Sequence, residues 1–136
     1  MTTLRKPSKS ITEAALWKRI RKKFCVGEWR AYRIEAISTP GFPDVVWASP
    51  VGLELIELKV GRLRFQDSQK RLFRELSNIG IPVYVIWQMK ARDVPSVFTA
   101  AELIDDYLLD PYGTPLDKWI EEYMVYDASK RQPVAG

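Results

Sequence analysis

Histidine is missing from all 136 residues, and this absence removes several chemistries at once. A Ser-His-Asp triad, an HExxH zinc site, a histidine general base and a histidine-centred nuclease mechanism are all excluded. Any catalysis must use carboxylates, lysine, tyrosine or metal ions. The single cysteine, Cys25, allows no intramolecular disulfide and no Cys-rich zinc site, which agrees with a reducing compartment and casts Cys25 as a small apolar filler. No uninterrupted apolar run approaches the roughly 20 residues of a membrane helix, and no signal-peptide stretch follows the basic start at Arg5, Lys6 and Lys9. A cytoplasmic protein with no membrane partner is expected.

Negative charge is scarce early in the chain. Arg5, Lys6, Lys9, Lys18, Arg19, Arg21, Lys22, Lys23, Arg30 and Arg33 face only Glu13 and Glu28, and a second basic set follows at Arg62, Arg64, Lys70, Arg71 and Arg74. From Glu102 onward Asp105, Asp106, Asp110, Asp117, Glu121, Glu122 and Asp127 reverse the balance. The net charge of +4 points only weakly to a polyanion, whereas this segregation would let a basic surface follow phosphates while the acidic end stays away. Two solvated helix faces would give the same pattern.

What is present suits one globular domain. A hydrophobic content of 46%, with five Trp, six Tyr and five Phe, can fill a single core but not two. The expected layout is a basic arm over 1–9, one domain over 10–127 and a loose tail over 128–136. Ser10 with Glu13 forms a capping-box pattern, and Trp17, Ile20 and Phe24 repeat at helical spacing, predicting a helix over 11–24. Strands are predicted over 29–37, from Asp44 through Trp47, and over 53–60. The turn cluster Thr39-Pro40-Gly41-Phe42-Pro43 separates the first pair, and Ser49-Pro50-Val51-Gly52 joins the second pair as a hairpin. Asp67 or Ser68 can cap a helix with Leu72, Phe73 and Leu76 as its stripe, Gly80 can end it, and Val83 to Trp87 continues as a strand in a parallel crossover. Thr99 with Glu102, then Thr114-Pro115 with Asp117, start two further helices, toward Leu109 and ending near Tyr126.

The chemistry concentrates in Glu57-Leu58-Lys59. Two residues apart on a strand, Glu57 and Lys59 emerge on one face about 6.6 Å apart, while Ile56, Leu58 and Val60 point the other way. An isolated pair of this kind is by default a surface ion pair on an edge strand. Here the hairpin would set Asp44 opposite the Glu57 region. An Asp and a Glu held together make a hard oxygen site for Mg²⁺ or Mn²⁺ that engages a phosphate oxygen and activates water, and Lys59 could orient the nucleophile or offset charge growing on the phosphate.

Gly41-Phe42-Pro43-Asp44 followed by Glu57-Leu58-Lys59 resembles the PD-(D/E)XK nuclease signature. The order of elements from Ser10 to Trp87 resembles the αβββαβ core of that superfamily, so the expected fold is a single α/β domain with a mixed sheet flanked by helices and two C-terminal helices added. More narrowly, Arg33-Ile34-Glu35, the Gly41–Asp44 run, Glu57-Leu58-Lys59, Gln69 and Gly80 resemble small VRR-NUC-like and phage Holliday-junction-resolvase-like endonucleases. The resemblance implies Asp44, Glu57 and the Leu58 backbone carbonyl as metal ligands, Lys59 as the catalytic lysine and Gln69 as a helix residue facing the site. Phe65-Gln66-Asp67-Ser68 replaces the family's proline-containing start to that helix, leaving Gln66 and Gln69 as alternatives. Glu13 and Glu35 compete as an additional ligand: Glu13 has a capping role but shares a face with Trp17 and Ile20, and Glu35 fits equally well as a cross-strand partner for an arginine.

The implied activity is Mg²⁺- or Mn²⁺-dependent hydrolysis of DNA phosphodiester bonds, structure-specific on branched DNA, by a homodimer in a bacterial cytoplasm, phage-encoded and serving recombination. No organic cofactor is expected. Lys18, Arg21, Lys22, Arg33, Arg62, Arg64, Lys70, Arg71 and Arg74 are the candidate DNA contacts, whereas Trp29, Trp47, Trp87 and Trp119 read as core. Two other readings compete: a non-catalytic nucleic-acid-binding module on a nuclease-like fold, and an unrelated α/β interaction protein whose Glu57 and Lys59 form a surface pair.

Overall fold

A computed structural model of the chain describes residues 12–34, 39–90 and 92–130. The first helix, α1, spans Glu13–Ile20 and is capped by Thr12, whose side chain accepts from the Ala15 amide at 3.1 Å. Ser10, expected to cap this helix together with Glu13, lies outside the described residues. With Thr12 as cap, Glu13 is the first helical residue and not the reciprocal member of a capping box. Over Arg21–Phe24 the helix tightens into a 3-10 turn, so the helical stretch ends where the periodicity places it but with different geometry.

Six strands form one sheet in the order β1-β2-β3-β4-β5-β6: Arg30–Arg33, Val45–Ser49, Gly52–Val60, Val83–Gln88, Ser96–Thr99 and Thr114–Pro115. All neighbours are antiparallel except β3 and β4, which run parallel and are connected through α2, Asp67–Asn78. The αβββαβ core read from the sequence is therefore present, with an intervening strand and a short closing strand that the sequence reading did not separate. Thr114-Pro115, expected at a helix start, is β6, and α4 follows directly as Leu116–Lys130, longer than the end at Tyr126 inferred from composition. The helix α3 is short, Ala100–Asp105. The Thr99–Glu102 capping box forms as expected, but Asp106 enters the left-handed region at φ 55° and stops the helix before Leu109.

Two apolar layers sandwich the sheet because β3 alternates. Ile56 and Leu58 face α1 and α4, where Trp47 sits among Phe24, Trp29, Trp119 and Tyr123 with ring centroids 4.6 to 5.7 Å away. The Trp47 indole satisfies its own N–H by donating to the Phe24 carbonyl at 2.9 Å. Leu55 faces the other way, against Phe73, Val83 and Val85 and toward α2 and α3. The tryptophans occupy core positions as expected; Cys25 does not, being exposed. Nor do the acidic segments all stay apart from the basic ones: Lys23 pairs with Asp117 and Arg74 with Asp105, each at 2.9 Å. No helix among the described residues is long and apolar enough to cross a membrane.

Candidate active site

The hairpin register determines what faces what. Val45 pairs with Ile56, so Asp44, one residue before β2, falls level with Glu57. Its Oδ2 accepts the Leu58 amide at 2.9 Å, fixing the side chain across the strand end. The Gly41–Asp44 loop reaches this position because Gly41 adopts φ +84° and lies against the first turn of α2. A Cβ there would sit 2.7 Å from the Ser68 carbonyl carbon, so both the conformation and the contact require glycine.

On β3, Glu57 and Lys59 continue the Leu55 face toward α2. The strand is central and not an edge, and both residues are buried, Glu57 at 2% exposure and Lys59 at 8%. That overturns the surface ion pair as an explanation, since burying two charges has a desolvation cost that an exposed pair avoids. Gln69, one turn into α2, links them: its Nε2 donates to Glu57 Oε2 at 2.7 Å, and its Oε1 accepts from Lys59 Nζ at 3.1 Å and from the Gln66 amide at 2.9 Å. The last bond gives the two glutamines different places. Gln66 occupies the helix cap, in place of the expected Asp67 or Ser68, and Gln69 turns inward. Lys59 Nζ also lies 3.5 Å from Glu57 Oε2 and 4.8 Å from the centre of the Phe65 ring.

Glu57 remains electrostatically incomplete. Burial, then the nearby Asp44 carboxylate, push its pKa up to about 8; Lys59 opposes the rise, and Glu13 adds to it. Its Oε1 is buried with no hydrogen-bond partner. A hydrogen bond from protonated Glu57 to the Asp44 carboxylate adds to the rise. Glu13 belongs to the same group: burial and Asp44 raise its pKa, while Lys59 and Arg33 hold it down. The three carboxylates, Lys59, Gln66 and Gln69 line a cavity of about 600 Å³ whose remaining walls include Arg62, Arg64 and Phe65.

Glu13 is thus brought to the cavity, whereas Glu35 lies outside the described residues. Of the expected basic contacts, Arg62 and Arg64 reach this cavity, and Lys18, Arg21, Lys22, Arg33 and Arg71 are exposed elsewhere, with Lys70 partly covered. Arg74 is exposed but engaged by Asp105. The aromatic wall at Phe65 had no sequence signal beyond its place in a loop.

A mixed sheet with an αβββαβ core, one helix layer on each face, defines a resolvase- or restriction-endonuclease-like fold. Among solved structures the chain is similar to Hjc, a Holliday junction resolvase of the archaeal hyperthermophile Archaeoglobus fulgidus, with a TM-score of 0.50 and 16% identity over 79% of this chain and 95% of that one. At that identity the likeness is one of fold. No protein-family model and no curated protein sequence matches the chain.

Proposed function

We propose that the chain is a single-domain, divalent-metal-dependent endonuclease that hydrolyses DNA phosphodiester bonds, acting on branched DNA. The observation that carries this reading is the buried Glu57–Lys59 pair, bridged by Gln69 with Asp44 beside it, opening into a cavity that Arg62 and Arg64 also line. A protein with only a fold to maintain would place apolar groups at those β3 positions.

Among the described residues no three Asp, Glu, Cys or His side chains are grouped so that they alone could hold a metal ion. Mg²⁺ does not require such a group, since it commonly takes one or two carboxylates, several waters and a substrate phosphate oxygen. The donors fit such an ion: Glu57 has an unpartnered buried oxygen and a carboxylate destabilised by burial and then by neighbouring carboxylates, a deficit of positive charge that a cation corrects. Asp44, Glu57 and the Leu58 carbonyl would hold Mg²⁺ or Mn²⁺, and Glu13 adds negative charge to the same cavity. When bound, the ion supplies Lewis acidity toward the phosphate and lowers the pKa of water.

The chain's own groups do the rest. Lys59, held by Gln69 at a fixed distance from Glu57, presents an ammonium where negative charge develops on the phosphate. Gln69 positions both Glu57 and Lys59 without needing to touch substrate. Arg62 and Arg64, on the loop just after Lys59, bring guanidinium groups to the mouth for the flanking phosphates. A four-way substrate has two strands to cut, so two copies are expected to act together; exposed Leu109, Tyr112, Val125 and Tyr126 offer apolar surface for pairing. The resemblance to phage resolvase-like enzymes suggests a recombination role in a bacterial cytoplasm.

The test is cleavage of labelled four-way junction, flap, single-stranded and linear duplex DNA with Mg²⁺, Mn²⁺ or EDTA, using wild type beside Asp44→Ala and Lys59→Ala. Metal-dependent cutting by wild type, lost in both variants while they still bind DNA, supports the reading, and the preferred substrate names the subclass. DNA binding without cutting under any metal favours a non-catalytic module instead. Absence of both binding and cutting sinks the nucleic-acid reading.

A further inference from the structure

A second cavity, of about 440 Å³, opens where α1 and its 3-10 continuation run beside β1, the first strand of the sheet. Trp17, Arg21, Lys22 and Cys25 line one side, and Tyr32 and Arg33 line the other. Among the described residues its charge is one-sided, with three cations and no carboxylate. Among the described residues none of the three is in an ion pair, although the adjacent Lys23 is neutralised by Asp117. The wall between the cations is aromatic, with Tyr32 61% exposed. Cations that follow a phosphate backbone, together with ring surface for bases, are what an unpaired strand requires, whereas a duplex keeps its base faces stacked inside.

The cavity is also aligned with the carboxylates. Glu13 and Trp17 are four residues apart on α1, and Arg21 follows after another four, so they form one stripe running from the first cavity to the second. Eight residues of helix advance about 12 Å. Arg33 completes the connection, since its charge acts on Glu13.

We propose that this cavity binds an unpaired nucleic-acid strand leaving the catalytic cleft, with phosphates on Arg21, Lys22 and Arg33 and a base against Trp17 and Tyr32. The assignment of the cleft as catalytic rests on the nuclease reading; the strand site itself does not. The chain's own termini match the cavity poorly in charge, since residues 1–11 carry Arg5, Lys6 and Lys9 with no acidic residue, and 131–136 carry Arg131 with none.

Cys25 supplies the test, because it is the only cysteine in the chain, is exposed and lines the cavity. The rate of its alkylation by a fluorescent maleimide is followed on the full chain in EDTA, with a 12-nucleotide oligothymidylate, a 12-nucleotide oligouridylate, a 12-base-pair duplex or poly-glutamate. Tenfold slowing by a single strand, with less by the duplex and none by poly-glutamate, is the expected result; comparing the two oligonucleotides separates DNA from RNA. Tyr32→Ala should weaken single-strand binding in anisotropy roughly 5- to 150-fold, the range of one base–aromatic stack. Lys22→Ala should reduce the salt slope of binding by about one. The proposal is overturned if a bound single strand leaves the alkylation rate unchanged, if poly-glutamate protects equally, or if Tyr32→Ala binds like wild type. Cleavage in Mg²⁺ without Cys25 protection defeats this inference alone, and protection without cleavage on any substrate defeats the nuclease reading alone.

Discussion

The two faces of β3 are one residue out of phase and have opposite characters. On the α1–α4 side, Ile56 and Leu58 join a dry cluster in which Trp29 and Trp47 are at most 1% exposed and the polar Trp47 N–H is satisfied locally. On the α2 side, Leu55 starts an apolar layer that gives way at Glu57 and Lys59 to a carboxylate, an ammonium and an amide, with one carboxylate oxygen left unpartnered. The first face is arranged for stability. The second tolerates electrostatic cost, and such local inconsistency within an otherwise well-packed domain is where function is expected.

The strongest test of this contrast is Trp47→Ala. Removing a buried indole from the centre of the aromatic cluster should cost about 3–5 kcal/mol in denaturant unfolding. A cost below ~1 kcal/mol would mean that this face is not the stabilising one. On the other face the order of effects should invert. Lys59→Met should leave the far-ultraviolet circular dichroism unchanged, because Glu57 can keep a proton, yet slow metal-dependent cleavage about 10²- to 10³-fold. Cleavage within a few-fold of wild type would remove Lys59 from the chemistry.

The pH dependence of metal-free protein sharpens the comparison next. Glu57 in the folded state, at about 8, lies above the ordinary carboxyl value of 4.5, so between those pH values the native protein holds a proton that the unfolded chain has released. This contribution to stability is fully present below about pH 4.5 and is lost as pH rises toward 8. In EDTA, stability should therefore fall by an amount on the order of a few kcal/mol over that window, and Glu57→Gln should flatten the profile and stabilise the protein at pH 8. An unaltered profile in Glu57→Gln would show that this carboxyl is not the group responsible. Smallest of all, Arg74→Ala should change stability by about 1 kcal/mol or less, since its partner Asp105 is also substantially exposed; a larger loss in thermal melts would point to a structural role that the ion pair does not supply.

Much of this was legible along the chain, element by element. The alternation through Leu55–Val60 gave the two faces, and the hairpin-length gap between Asp44 and Glu57 gave their approach. What was not legible involved partners distant in sequence. Arg74 could be read as a free cation until α3 placed Asp105 beside it, and Cys25 as filler until the 3-10 turn left it in solvent. Gln66 and Gln69 were equivalent on paper, and only the turn of α2 against β3 separated the cap from the residue that bridges Glu57 and Lys59.

Sequence alone determined which chemistries were open to this chain, because excluding histidine, disulfides and membrane helices needs no coordinates, and strand periodicity already puts Glu57 and Lys59 on one face. Tertiary structure decided how charged those groups can remain. Packing α2 over β3 removed water from Glu57, and the start of α1 carried Glu13 to the same cavity. Desolvation and the Coulomb field depend on distances through space, which spacing along the chain does not specify.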